Sequence, residues 1–506
     1  MIRQIVIFII CCAILNSTAA HPITPYDEYE AKQMSKFNKY KNIKNKKFSE
    51  YRRKRNEDYA QYLSKRWKNL LPEPKIPKPK DETIPPVIIE EENQQPIHSP
   101  NPVPYDEVIP VPKPDPQPTP IEPIEEIVEP LPVAPQPKTC EFTFFGTNAN
   151  VRYDDSRRFT LSQSNEKGVA DAWLQLSGDD YTNLVFDCLD IRKEKKLDDW
   201  AYLMMIKDMA ESVFGKATNE SVLLTAFVYC QSGYKIRLGF DDKNRLEMLF
   251  ASKHTIYDWP YYTLDKGEKF YPMSKSSKNL RICQQQYPKE QSMSLVNTNV
   301  PIFTNHRTSS SSHQSTRDKD MKVTMTANKN RLDYYSSYPT SMIGDNFVSR
   351  WALYANMPMP KDVKDQVYPQ LKSGIKGCDQ LTALNKILNW VQTGFEYEYD
   401  DKVWGGDRAF FPEESLYYPY CDCEDRSILL TRIVRDILGL ECILIYYPGH
   451  LAAAVAVTEG NPTGDYISLN GKRFFITDGT IMGYGAPVGA TMSGMDNKTA
   501  KVILLK

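Results

Sequence analysis

The sequence predicts an α+β fold, and the prediction is clearest between residues 422 and 478. Apolar residues recur at helical spacing from Ile428 to Leu438, and Gly439 follows at the C′ position where helices commonly end. A nearly continuous apolar run at 441–447 then predicts a buried strand, and a further strand is predicted at 472–477. A helix followed by several strands is the pattern expected of the α+β class.

The order of the strands in this part decides which side chains can meet. An Asn-Gly turn signal joins residues 466–469 to 472–477 as a hairpin. His450 begins the run 451–457, and Asp478 ends the run 472–477. A simple meander would place these two residues at opposite edges of the sheet. We therefore predict that 472–477 runs antiparallel directly beside 451–457, with 466–469 as an outer strand.

Cys423 is the candidate nucleophile. Asp422 is a natural N-cap, so Cys423 falls on the first helical turn, where free N–H groups and the helix dipole favour a negative charge. A thiolate in that position commonly has a pKa of roughly 3.5–7.5. With His450 as base and Asp478 to orient it, the pattern indicates nucleophilic catalysis. Cys421 is the rival nucleophile, but it precedes the N-cap and gains less from the dipole.

These motifs resemble a known family. The stretches concerned are Cys423-Glu424-Asp425-Arg426-Ser427, Pro448-Gly449-His450 and Ile476-Thr477-Asp478-Gly479-Thr480. They look like the Cys, His and Asp motifs of the transglutaminase-like superfamily, in its secreted bacterial type. The resemblance covers roughly residues 381–478. It implies a papain-like α+β fold, in which the cysteine begins a central helix that packs against an antiparallel sheet carrying the histidine and the aspartate.

The resemblance also implies roles for residues around the nucleophile. The aromatic-rich loop 395–420 is expected to border the acyl-donor groove, with Trp404 and Tyr418 as candidates for lining it or holding the oxyanion. One oxyanion donor is expected to be the backbone N–H of Cys423. Asp425 and Arg426 lie in the first turn and are expected to cap the helix or pair with the loop.

Residues 1–20 predict a signal peptide, with a positive charge at Arg3, an apolar core and a small-residue cleavage site. The apolar run is too short to span a membrane. The expected location is periplasmic or extracellular.

Residues 21–71 form a basic segment that predicts an amphipathic helix. Residues 26–71 contain fourteen Lys and Arg against six Asp and Glu, with Tyr59, Tyr62, Leu63 and Trp67 at helical spacing. Such a helix is expected to dock on the main domain or remain solvated. The alternative is weak membrane or cell-envelope contact through residues 26–71. Export argues against nucleic acid as a partner.

We call residues 72–138 the proline-rich segment, and its composition predicts a disordered tether. They hold 21 of the 36 prolines and 13 acidic residues. A segment of this composition buries too little apolar surface to offset its chain entropy, and it favours extended polyproline II.

Residues 139–295 predict a degenerate copy of the transglutaminase-like domain. NESVLLTAFVYCQSGYKIRLG parallels EDRSILLTRIVRDILGLECIL, and GEKFYPM parallels GKRFFITD. On this alignment Ala217, Asn244 and Ser274 replace Cys423, His450 and Asp478, so the copy is expected to be inactive. The alternative is coincidence between two ordinary helix–strand units.

Residues 296–345 predict an exposed connection with a strand near 321–326, and its His306 and His313 are expected to be solvated rather than metal-bound. Residues 346–506 form the predicted catalytic domain.

Eight cysteines follow the signal peptide, and their even number in an exported chain suggests disulfides, although setting Cys423 aside leaves seven. Cys230 and Cys442 stand in apolar surroundings typical of buried thiols.

The expected function is acyl transfer on amide bonds of a protein or peptide substrate through an acyl-enzyme, with hydrolysis slightly favoured over crosslinking because water is the default acceptor. No metal and no cofactor is predicted, because the chain shows neither zinc-ligand spacing nor a phosphate-binding loop. The alternative is a non-enzymatic scaffold of papain-like units that binds peptide or glycan.

Overall fold

The computed structural model describes residues 50–79, 84–90, 98–113, 115–118, 139–155, 158–178, 181–275, 278–343 and 346–506. The chain divides into two compact units, Met1–Asp58 and Tyr59–Lys506. The described part of the first unit, residues 50–58, is helical. The signal peptide expected at residues 1–20 lies outside the described residues. None of the described helices is long and apolar enough to cross a membrane.

The second unit has a mixed α+β fold with two main sheets. The sheet that carries the predicted site is called the second sheet, because most of its strands come later in the chain. It has seven strands in the order Asn101–Val103, Asp465–Leu469, Lys472–Thr477, His450–Ala456, Cys442–Tyr447, Lys501–Leu504 and Glu107–Ile109. The five inner strands are antiparallel, and the two edge strands are added in parallel.

The predicted strand order beside the site is confirmed. Ala453 lies opposite Thr477 in antiparallel register, and 465–469 is the next strand outward. Asn470 and Gly471 make the turn between the hairpin strands with φ values of +50° and +76°, a left-handed conformation that an Asn-Gly pair adopts readily. His450 and Asp478 therefore lie at the same end of neighbouring strands.

The central helix, Cys423–Ile437, packs its apolar face on this sheet. Ile428, Leu430 and Ile433 are buried, and the helix contacts the strands on which Ala453 and Leu444 lie. Gly439 has φ +68° just after the C-cap Leu438, as the sequence predicts for a C′ glycine.

The remaining helices are short to medium in length. Between residues 139 and 300 the described helices are Glu166–Leu176, Thr182–Glu194, Asp199–Phe214 and Asn219–Gln231. After residue 300 they are Lys329–Ser337, Arg350–Asn356, Lys361–Gly374, Gln380–Thr393, Asp400–Val403 and Pro412–Tyr417, with 3₁₀ turns at Phe347–Ser349 and Asn497–Thr499. Short strand pairs join Thr139–Phe144 to Thr147–Arg152, Ser341–Met342 to Thr255–Ile256, and Glu396–Tyr397 to Tyr420–Cys421.

The first sheet has the same strand order as the second. It runs Lys68–Leu70, Leu280–Ile282, Ile236–Phe240, Leu246–Ser252, Glu268–Pro272 and Tyr262–Leu264. Read from the opposite edge, this is the order of the second sheet from Asp465–Leu469 to Glu107–Ile109. In both, a buried helix precedes the central hairpin, Asn219–Gln231 in one case and Cys423–Ile437 in the other.

The register of the two sheets corrects the residue correspondences drawn from the sequence. Each helix begins after its N-cap, Thr218 in the first case, so Asn219 rather than Ala217 has the place at the helix start that Cys423 has in the other helix. Leu246 rather than Asn244 opens the strand that matches the one begun by His450.

The third correspondence shifts as well. Pro272 lies opposite Leu249 as Thr477 lies opposite Ala453, so Met273 rather than Ser274 takes the place of Asp478. Asn219, Leu246 and Met273 do not make a Cys-His-Asp triad.

The prediction of a free tether is wrong for much of the proline-rich segment. Ile88–Ile89 pairs with Met482–Gly483, and the strands Asn101–Val103 and Glu107–Ile109 complete both edges of the second sheet. Their apolar side chains Ile89, Val103 and Ile109 are buried, and burial of such a side chain stabilises by about 1.5–3 kcal/mol. Residues 80–83, 91–97, 114 and 119–138 lie outside the described residues.

The end of the basic segment docks as the sequence favours. Tyr59, Leu63 and Trp67 are buried in the main core, and Trp67 stacks on Phe240 at 5.2 Å between ring centroids. Tyr62 is the exposed aromatic residue of this set.

The connection predicted at 296–345 is more ordered than expected. Arg307–Gln314 pairs with Lys322–Asn328, and the latter strand confirms the one predicted near 321–326. The expectation that His313 is solvated is wrong. Its ring is buried, stacks on Phe395 at 4.1 Å and contacts the Gly394 and Leu416 carbonyls.

Candidate functional site

Cys423 is the first residue of the central helix and is buried. The preceding Asp422 has the extended backbone of an N-cap, but its side chain makes no capping hydrogen bond. The Cys423 thiol donates to Glu424 Oε2 at 3.3 Å. As a first-turn residue, Cys423 has a backbone N–H without an intrahelical acceptor, which is what an oxyanion donor requires.

His450 and Asp478 form a buried pair. His450 Nε2 lies 2.9 Å from Asp478 Oδ2, and the other carboxylate oxygen accepts hydrogen bonds from the Thr480 hydroxyl and from the Thr480 N–H. Burial alone would raise the pKa of Asp478, but the His450 charge and the hydrogen bonds outweigh it and hold the pKa below its usual value. An ionised carboxylate on Nε2 fixes the ring and leaves Nδ1 as the nitrogen free to accept a proton.

Cys423 and His450 face one cavity of about 310 Å³. Among the described residues, no direct hydrogen bond joins the Cys423 sulfur to the imidazole; the sulfur is next to the backbone N–H of Leu451, which stabilises a negative charge on it. Two of the three groups predicted from the sequence, Cys423 and His450, therefore line one cavity, and Asp478 is joined to it through its hydrogen bond with His450.

The electrostatics of the cavity differ from the sequence-based expectation. Burial raises the pKa of Cys423 well above its usual value, and the carboxylates of Glu424 and Asp422 raise it further. The direction of this shift is opposite to the lowered pKa expected from the helix start. Desolvation and two adjacent acids outweigh the helix dipole in their effect on the pKa of this thiol.

Carboxylic acids dominate the cavity wall. Among the residues that the structure describes, the acids that line it are Asp258, Asp400, Asp401, Asp407, Asp422 and Glu424, against the two cations Arg350 and Lys78. Burial and the nearby Glu424 raise the pKa of Asp400 to about 8, and burial with Glu424 as neighbour also raises that of Asp422. Arg350 pairs with both carboxylate oxygens of Asp407, at 2.6 and 3.0 Å.

These carboxylates are close enough to bind a cation. One oxygen from each of Asp400, Asp407 and Glu424 lies within 4.8 Å of the others, and the same holds for Asp422 and Glu424 with the Cys423 sulfur. Carboxylate oxygens are the ligands that Ca²⁺ and Mg²⁺ prefer. The Arg350 guanidinium already neutralises Asp407, which weakens that set as a metal site.

Asp425 and Arg426 hold the helix start against its loops, as predicted. Asp425 accepts from the Phe410 N–H at 2.7 Å. Arg426 donates to the carbonyls of Gln392, Phe395 and Gly479. Because Gln392 also donates to the Asp478 carbonyl at 2.8 Å, this network ties the helix that begins at Cys423 to the loop that carries Asp478.

Trp404 and Tyr418 are packed together near the site. Their rings lie 4.8 Å apart, Phe410 contacts both, and Arg408 covers Trp404 at 4.6 Å. Of the described residues, Tyr399, Trp351 and Tyr446 supply the aromatic lining of the cavity, whereas Trp404 and Tyr418 lie outside it. Their predicted role in holding the oxyanion gains no support from this geometry.

All eight described cysteines are free thiols, so the suggestion of disulfides is wrong for them. Six are buried, including Cys230 and Cys442 as expected from their apolar surroundings. Burial raises the pKa of Cys421 to about 11. Cys421 lies in the short strand Tyr420–Cys421 and is not among the residues that line the described cavity.

The cavity residues that the sequence did not single out are far from Cys423 along the chain. Asp400 and Asp407 lie in the predicted loop, where charged residues are common, and Arg350 is more than seventy positions upstream. Pro77, Lys78 and Pro79 belong to the proline-rich segment. Asp422 and Glu424 are the acidic neighbours of Cys423 in the sequence, and they are the sequence feature that indicates a raised pKa for this cysteine.

Comparison with models of known protein families, with curated proteins and with solved structures finds no match to this chain.

Proposed function

We propose that this protein is an exported, transglutaminase-like cysteine enzyme that cleaves or transfers amide bonds of polypeptides. The observation that carries the proposal is the buried His450–Asp478 pair, at 2.9 Å, on the same cavity as the Cys423 thiol at a helix start. The shared strand order of the two sheets supports a papain-like core preceded by a degenerate copy. The resemblance of the Cys, His and Asp motifs gives the reaction type.

In the proposed reaction, His450 Nδ1 takes the Cys423 proton as the sulfur attacks an amide carbonyl carbon. The new S–C bond forms, and the backbone N–H groups of the first helical turn stabilise the negative oxygen. The C–N bond then breaks, and the imidazolium returns the proton to the leaving amine. Water or an amine attacks the thioester, restores the thiol and releases the acid or the new amide.

The raised pKa of Cys423 is compatible with this sequence of steps. Because burial and the Glu424 and Asp422 carboxylates raise the pKa of Cys423, the thiol needs His450 as the acceptor of its proton when it attacks. Asp478, ionised and hydrogen-bonded, stabilises the imidazolium that forms.

The test is alkylation of Cys423 by iodoacetamide, with the modified residue located by mass spectrometry. An assembled dyad predicts that His450→Ala slows alkylation of Cys423 at neutral pH by at least about tenfold. Equal rates in the two proteins would exclude a functional dyad.

The second candidate is a non-enzymatic scaffold that binds peptide or glycan. The observation that favours it is the acidic wall around Cys423, which raises the pKa of the nucleophile and suits binding of a cationic ligand. Slow alkylation that does not depend on His450, together with measurable peptide binding, would identify this case.

A further inference from the structure

The proline-rich segment passes beside the candidate nucleophile. The Ile76 carbonyl accepts a hydrogen bond from the Asp258 N–H at 2.8 Å, and residues 77–79 then line the cavity that contains Cys423. On the other side of the gap at 80–83, the Ile84 N–H donates to the Gly449 carbonyl at 3.1 Å. The described residues before and after this gap are therefore each held by a backbone hydrogen bond to a residue that lines the cavity.

Lys78 places a cation in this cavity. Its ammonium group donates to the Asp407 backbone carbonyl at 2.5 Å, and its charge counteracts burial and Glu424, which together raise the pKa of Asp400 to about 8. A primary ammonium carries three donors, and carboxylates are its strongest acceptors.

The cavity also holds acceptor capacity that the protein leaves unused. Asp422 is 5% exposed and lines the cavity, and its Oδ1 has no hydrogen-bond partner in the structure. Of the two cations among the described lining residues, Arg350 is engaged with Asp407, so Lys78 is the one that an incoming group can replace. A buried carboxylate oxygen without a partner is costly and points to a missing donor.

We propose that the cavity beside Cys423 is a subsite for a cationic side chain of an extended, proline-flanked polypeptide, and that the segment Pro77-Lys78-Pro79 occupies it as a built-in competitor. The substrate class is then a polypeptide with a Lys or Arg next to the reacting carbonyl, bound in the place of residues 77–79. Asp400 and Asp422 supply the carboxyl groups of this subsite: the Lys78 charge acts on Asp400, and Asp422 keeps an oxygen that Lys78 leaves without a partner. The assignment of a substrate rests on the proposed function, whereas the binding site itself does not.

Binding is tested in the full chain carrying Cys423→Ala, which cannot react. Two fluorescent peptides are compared by anisotropy in EDTA, one with a central Pro-Lys-Pro and one with norleucine in place of lysine. In the Lys78→Ala background, the lysine peptide is expected to bind about tenfold more tightly than the norleucine peptide, or by about 1.4 kcal/mol. Equal affinities overturn the cationic subsite.

Competition is tested with a matched lysine. Lys75 is exposed and does not line the cavity, so Lys75→Ala is the control for Lys78→Ala. Lys78→Ala is expected to increase the affinity for the lysine peptide at least severalfold, and Lys75→Ala to leave it unchanged. If the two variants behave alike, residues 77–79 do not compete for the subsite.

Asp400→Asn should abolish most of the preference for lysine over norleucine without changing the affinity for norleucine, and a retained preference would remove Asp400 from the site. The His450-dependent alkylation described above reports separately on the proposed function. If alkylation depends on His450 but the two peptides bind with equal affinity, only the subsite is rejected. If alkylation does not depend on His450 but the lysine peptide binds more tightly, the enzyme is rejected and the subsite is kept.

Discussion

His450 Nε2 lies 2.9 Å from Asp478 Oδ2, with the two side chains 1% and 2% exposed. Such a pair holds one ring orientation and one tautomer, with the proton on Nε2 and the lone pair on Nδ1. Because Asp478 acts through the imidazole of His450, replacing Asp478 is expected to reduce turnover more than the stability of the fold.

Asp478→Asn tests this pair. The amide cannot stabilise an imidazolium, so the rate of acyl-enzyme formation is expected to fall by about 10²–10⁴-fold. The measurement is a single-turnover assay with a peptide amide, with thermal unfolding as a check on the fold. Asp496→Asn, a matched change on an exposed turn, is the control. Equal losses in the two variants would contradict the orienting role.

Cys423→Ala is expected to abolish activity, and Cys421→Ala to leave most of it. Cys423 alone of the two begins the central helix and faces the cavity. The assay is the same single-turnover measurement on both variants. Activity that survives in Cys423→Ala would end the assignment of the nucleophile.

The pH dependence of alkylation tests the acidic environment of the thiol. Because Glu424 and Asp422 raise the pKa of Cys423 in addition to burial, Glu424→Gln removes a negative charge and should lower that pKa. The iodoacetamide rate then begins to rise at a lower pH than in the parent protein. Glu441→Gln, an exposed change away from the cavity, should leave the profile in place. An unchanged or upward-shifted profile for Glu424→Gln would show that the carboxylate does not act on the thiol.

Trp67→Ala should destabilise the protein by about 3–5 kcal/mol, the usual cost of truncating a large buried aromatic residue. Trp67 is 4% exposed and stacks on Phe240, whereas Tyr62 in the same segment is 41% exposed. Tyr62→Ala is therefore the matched control and should change stability by less than about 0.5 kcal/mol. Denaturant unfolding measures both. Similar losses would mean that the segment is held by contacts other than its buried face.

Hydrogen exchange tests the docking of the proline-rich segment. The N–H groups of Asn101 and Asp106 donate to the carbonyls of Gly464 and Ala500 at 2.9 and 2.7 Å. Both amides are expected to exchange more than about 10²-fold slower than in an unstructured chain, because exchange requires local opening. Exchange at the unstructured rate would restore the original prediction of a free tether.

The sequence was sufficient where the interactions are local or where chemistry constrains them. The helix 423–437 and the Asn470-Gly471 turn follow from spacing and turn preferences, and the neighbouring strands follow from the requirement that His450 meet Asp478. The strand 321–326 was found from alternation alone.

The sequence failed where a segment takes its structure from distant partners. Val103 and Ile109 are isolated among prolines, and nothing local indicates that they cover sheet edges more than 350 residues away. His313 looked solvated because its neighbours are polar, although its ring is packed on Phe395. The pKa of Cys423 was predicted in the wrong direction because the helix dipole was weighed without the desolvation that burial brings.

The pairing of Glu107–Ile109 with Lys501–Leu504 also constrains the kinetics of folding. Lys501 bonds to Glu107 across 394 positions, and Asn69 pairs with Arg281 on the matching edge of the first sheet. Closing so long a loop carries an entropic cost. Pairing of the edge strand offsets this cost only after the inner strands have formed the sheet edge to which it binds. During synthesis, residues 101–109 leave the ribosome hundreds of residues before their partner strand exists. The two edges of the second sheet should therefore be the last part of the molecule to become protected in a refolding experiment.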